Sequence, residues 1–229
     1  MSNKRSSTIY LEKVIGIAIF AAMAVIVAYF CSPVKVQGFL SLDLKDAVIA
    51  IAAFIYGPIS GVIIALIAAL IECFTFSTTE WYGLIMNFAS SAVFTLVAAL
   101  IYKKFRSVNG VIIAFTAAII STTGVMLLLN TFVTPIYLVT MMGIPTKEIA
   151  VQTVVDMLPT VLLPFNFAKS LLNASLAIML YKPILTALSK AKIVKTKAAS
   201  LSFNKNTKFI LAIGAECLVV AVAIFLIIA

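Results

Sequence analysis

Long apolar runs alternate along this 229-residue chain with short polar intervals, and the runs set the expected elements. The first covers about residues 12–31, behind Lys4, Arg5 and Lys13. No small-residue cleavage site follows it, so it reads as an uncleaved span and not a signal peptide. CSPVKVQGFLSLDLKD is an interval with alternating apolar positions, and DAVIAIAAFIYG then reads as a helix too short to span at about 1.5 Å per residue. Gly57 and Pro58 break it, and ISGVIIALIAALIE resumes with Pro58 suited to a first helical turn. A fourth helix is expected over about 83–102, after TFSTTEWYG places Trp81 and Tyr82 at an interface. The fifth covers about 110–132, reaching towards Pro135 and Tyr137. GIPTKEIAVQTVVD suggests a short amphipathic helix, and the sixth long helix runs over about 158–188. Residues 191–207 form a basic linker, and a last apolar segment covers 208–229.

Composition supports the membrane reading. The chain is 63% hydrophobic and 11% charged, with a mean hydropathy of +1.18. A soluble domain is roughly one quarter charged, and several runs reach the roughly 20 residues a hydrocarbon core requires. The fold class is therefore an all-α integral membrane protein, with six helices over residues 10–190 and an extra C-terminal helix. The net charge of +9 could suggest a nucleic-acid partner, but the basic residues gather between spans, as topology signals do. Lys4 and Arg5, then Lys103, Lys104 and Arg106, then the lysines after 189 all fall on one side if the N-terminus is cytoplasmic. Histidine is absent, and Cys31, Cys73 and Cys217 lie far apart, so free thiols are expected and no metal site. No GxxxxGK[ST] loop occurs, and no internal repeat is visible.

The chemistry concentrates in LLPFNFAKSLLNA, residues 162–174, where Asn166, Lys169 and Asn173 share one helical face. Lys169 lies on the order of 16 Å into its helix, where a lysine is costly. Snorkelling, a structural pair with Glu72 or Asp156, and a solvated ligand cavity are the three readings. The flanking amides favour the cavity, since an amide offers both a donor and an acceptor to a polar ring edge. Asn130 and Asn87 are further amides near the same end of their helices, open to ligand contact or to interhelical bonding. In the first interval Phe39, Leu40 and Leu42 stand beside Asp43 and Asp46, an apolar cover for a pocket mouth, with Asp46 also placed to cap the next helix. Ala18 and Ala22, like Ala24 and Ala28, are small-xxx-small pairs that let another helix approach closely, within the chain or from a partner.

FLSLDLKD, FIYGPISGVI, LLLNTFVTPIY and LLPFNFAKSLLNA, in that order, resemble the riboflavin-specific S components of energy-coupling factor (ECF) transporters. The resemblance covers roughly residues 10–190, and PFNxxK is its most specific part. It implies a six-helix bundle in a bacterial cell membrane that captures riboflavin from outside, in a pocket formed by the first loop and helices four to six. Asn166 and Lys169 would then bond the isoalloxazine edge, Asn130 would add a polar contact, and Phe39, Leu40 and Asp43 would belong to the covering loop. Ala18 and Ala22 would meet a transmembrane coupling subunit, and two separate cytoplasmic ATPases would hydrolyse ATP. Riboflavin is then the transported ligand, with no cofactor and no enzymatic activity in this chain. An S component for another vitamin (thiamine, biotin, a folate), or a solitary ion-coupled carrier using Glu72 and Lys169, are the alternatives. The segment after 208 departs from the six-helix pattern.

Overall fold

The computed structural model describes residues 2–105, 107–190 and 206–228. Eight α-helices lie among them: α1 (Ser2–Cys31), α2 (Lys45–Tyr56), α3 (Pro58–Thr75), α4 (Glu80–Lys104), α5 (Val108–Thr140), α6 (Lys147–Met157), α7 (Leu163–Lys190) and α8 (Asn206–Ile228). Six helical stretches are long and apolar enough to cross a membrane, and α2 is not among them. The expected basic linker lies outside the described residues, apart from its last two positions.

α2 explains the packing of the rest. Beyond Lys45 and Asp46 its alanines, isoleucines and valine leave no polar face, and every residue from Lys45 to Ala53 is buried. A helix apolar all round belongs inside a bundle, and α2 packs against α1, α3, α4 and α7. Its end is set by Gly57, at φ 99° and ψ 163°, a region open to glycine and strained for any other residue. Pro58 then starts α3 at a position whose N–H would be unpaired in any case. Gly61 lets α3 lie directly on Ala53 and Thr95, where a Cβ would collide with both.

Two apolar cores follow one another along the bundle. One joins Phe20, the middle of α2, Ile64, Phe94, Phe115, Ala177 and Tyr181. The other joins Val36, Leu40, Leu138, Val154, Leu162, Phe165, Ala221 and Phe225. Asp43, Lys45, Glu72, Lys169 and Asn173 are buried as well, and a cavity opens beside them.

Four element boundaries differ from expectation. α1 begins at Ser2 and not at about residue 12. α4 begins at Glu80. α5 continues through Pro135 to Thr140, since a proline costs one backbone bond and a membrane helix packed among others tolerates that loss. α6 runs into α7 through a π-helical turn, Leu158–Leu162. Pro159 and Pro164 have no N–H to give, so the regular ladder is interrupted there and the wider turn takes its place.

Candidate functional site

The cavity lies between the first loop and helices α4, α5 and α7. Phe39, Leu40, Tyr82, Asn87, Asn130, Tyr137, Phe165, Asn166 and Lys169 all line it. Its cover is a small antiparallel hairpin, β1 (Lys35–Val36) and β2 (Leu40–Ser41), with Val36 opposite Leu40. Gln37 and Gly38 turn the chain at φ 52° and 77°. This register points Val36 and Leu40 inwards, where both are buried. Aromatic rings continue the wall: Phe39 lies 5.7 Å from Tyr137, and Tyr137 meets Tyr82 edge-on at 5.6 Å. The Tyr82 hydroxyl and the Thr140 hydroxyl share a 2.9 Å hydrogen bond, which fixes the ring between two helices.

Polar groups converge on the opposite wall. Asn166 Nδ2 donates to the Leu162 carbonyl at 2.7 Å, and its Oδ1 is left for the cavity. Asn130 is tied within α5, donating to the Met126 carbonyl and accepting from Thr134 Oγ1, both at 2.7 Å, which leaves it one N–H. Lys169 Nζ donates to Asp43 Oδ2 at 2.8 Å. An ammonium carries three N–H groups, so two remain for the cavity.

Asp43 ties the covering loop to the bundle. Its Oδ2 also accepts from Lys45 at 3.1 Å, and Lys45 in turn donates to Glu72 Oε2 at 2.9 Å. Glu72 Oε1 accepts from Asn87 Nδ2 at 3.0 Å, so the network returns to the cavity wall. Burial alone would push the Asp43 carboxyl up, but the Lys169 and Lys45 ammonium groups outweigh it and bring it to about 2. Asn173 completes the attachment. Its Nδ2 donates to the Asp43 carbonyl and its Oδ1 accepts from the Ala47 N–H, both at 2.9 Å.

The structure thus brings six of the eight expected ligand-side residues to the cavity: Phe39, Leu40, Asn87, Asn130, Asn166 and Lys169. Asp43 and Asn173 stand behind it as anchors of the loop. Lys169 is paired, but with Asp43 and not with Glu72 or Asp156. Lys45 takes Glu72, and Asp156 accepts from Gln152 within α6. Asp46 does not cap α2: the N-cap is Leu44, without a side-chain bond. The Asp46 carboxylate instead accepts from the Ser91 hydroxyl of α4. Helix capping needs a side chain just outside the first turn, and Asp46 is already inside it. On α1, Ala18 and Ala22 are exposed whereas Ala24 and Ala28 face the bundle, so the two small-residue pairs serve different faces. The three cysteines are free.

Comparison with known proteins agrees with this architecture. The family described as "ECF transporter, substrate-specific component" matches residues 12–181. The chain belongs to that family. Among its relatives, the riboflavin transporter RibU of Staphylococcus aureus (strain TCH60) is 30% identical over 181 residues, 78% of this chain and 93% of that one. The riboflavin transporter FmnP of Bacillus subtilis (strain 168) is 23% identical over 165 residues, 70% and 85% of the two chains. A solved S component of a bacterial ECF transporter superposes with a TM-score of 0.63 at 28% identity, covering 78% of this chain and 98% of the other. In this S component, sequence reasoning missed Lys45 as the partner of Glu72, and the wall residues Tyr82, Tyr137 and Phe165. One signal was available for Lys45: a carboxylate inside the apolar run ALIECFT demands a cation.

Proposed function

We propose that this S component binds riboflavin, and that the cavity beneath the first loop is where it does so. The observation that carries the reading is the pairing of two unlike walls. The free Oδ1 of Asn166 and the spare N–H groups of Lys169 face a cavity walled by Phe39, Tyr82, Tyr137 and Phe165. A flat heteroaromatic ring with carbonyl and N–H groups on one edge suits both walls at once. Two relatives named as riboflavin transporters support the same ligand. Capture is from outside, with the N-terminus cytoplasmic as the basic clusters indicate. The exposed Ala18–Ala22 face of α1 docks the transmembrane coupling subunit, and two separate ATPases supply the energy.

The test uses purified, detergent-solubilised protein. The wild type carries yellow flavin and quenches riboflavin fluorescence, and Lys169→Ala weakens the affinity about 10–100-fold, the range for a hydrogen bond to a charged group. A colourless protein that leaves riboflavin fluorescence unchanged overturns the assignment.

A further inference from the structure

The family match ends at residue 181, and α8 lies beyond it. α8 nevertheless enters the core under the pocket. It runs antiparallel to α7, with Gly214 lying on Ile178 and Met179, and Phe225 meeting Phe165 edge-on at 5.6 Å and 88°. Gly214, Leu218, Ala221, Phe225 and Ile228 recur at alternating spacings of four and three, which is one helical stripe. Ala221 and Phe225 on that stripe are buried, whereas Leu226 is 78% exposed. Phe165 also lines the cavity. Leu40 and Val36 of the covering hairpin belong to the same apolar core as Phe165, Ala221 and Phe225.

We infer that α8 is a backing helix for the binding pocket, and that Phe225 is a positioning residue which holds the Phe165 ring against the ligand and so sets how long the ligand stays. Without Phe225 the Phe165 ring has vacated volume behind it and can withdraw from the cavity. The seat of Leu40 loosens with it, because the same core supports both. A looser hairpin seat does not hinder entry, whereas a wall that can withdraw holds the seated ligand less well, so the effect falls on release. This inference rests on riboflavin as the ligand for its first readout, and the second readout needs no ligand.

Stopped-flow riboflavin quenching on the full chain measures both rates. Phe225→Ala is expected to speed release about 5- to 10-fold, on the order of one lost aromatic contact, with association within about twofold. Phe225→Leu restores part of the residence time, and Leu226→Ala changes nothing. In a Phe165→Ala background Phe225→Ala adds no further effect, which a general loss of stability would not reproduce. Unchanged release, additive effects, or an equal effect from Leu226→Ala overturns the inference. The second readout places Asn166→Cys in a chain with Cys31, Cys73 and Cys217 replaced by alanine, and follows its modification by a polar maleimide. Phe225→Ala speeds modification if α8 positions the wall, and an unchanged rate overturns the inference. Wild-type protein that fails to quench riboflavin counts against the flavin reading, and the maleimide rates then decide the role of α8.

Discussion

Of the two lysines buried beside the cavity, Lys45 is the one with no surface left for a ligand. Its ammonium is held by Asp43 and Glu72, and those two carboxylates are anchored in different elements. Removing one member of such a cluster costs more than the cluster contributes, because the remaining charges stay buried without a counter-ion. Lys45→Met is therefore expected to destabilise the fold by about 3–5 kcal/mol, read as a lower unfolding midpoint in detergent. Adding Glu72→Gln to Lys45→Met should recover part of that loss, since Asp43 keeps Lys169. The two lysines also differ in how far the sequence reveals them. Lys169 stands inside an apolar helix, where its spacing from Asn166 and Asn173 defines a face. Lys45 follows SLDL and precedes Asp46, a local pattern indistinguishable from a water-facing turn. Only contacts 27 and 126 residues away along the chain make that turn an interior one.

At the scale of elements, the apolar runs locate the spans, and local backbone chemistry decides how they join. Gly57 is the clearest case. Its φ of 99° joins α2 to α3 without a loop, and Gly57→Ala places a Cβ in a region that costs about 1–3 kcal/mol. The substitution is expected to lower thermal stability in detergent by that amount while leaving the isolated contacts of the cavity wall intact, which a riboflavin titration below the midpoint would show. The π-turn before α7 and the passage of α5 through Pro135 were not legible, because proline marks a place where one hydrogen bond is lost without saying whether neighbours will compensate. The aromatic wall was hidden for a different reason. Tyr82 and Tyr137 lie in ordinary interfacial contexts, and only the meeting of α4 with α5 sets their rings 5.6 Å apart.

At the scale of the molecule, the charge network and the two cores are stacked along the bundle. The cavity, its hairpin and the core containing Phe165 occupy one end. The core around α2 fills the other with Phe20, Ile49, Ile51, Phe94, Phe115 and Tyr181. Interiors of this kind are close-packed, and a polar solute cannot cross them without unpacking them. Purified protein in sealed vesicles is therefore expected to bind riboflavin on one face and to give no net flux down a riboflavin gradient. Net equilibration by the lone subunit at a rate proportional to its density would contradict that expectation.

The buried α2 gives this arrangement its meaning. A helix that begins inside the bundle at Lys45 and is surrounded by four others works as a stopper, and a stopper makes a cup, not a pipe. On the proposed reading such a cup would deliver a fixed load, one ligand per stroke, and its throughput would be counted in strokes. Raising the outside concentration beyond saturation would then fill every cup but move no more cargo. The rate would belong to the partner that drives the stroke.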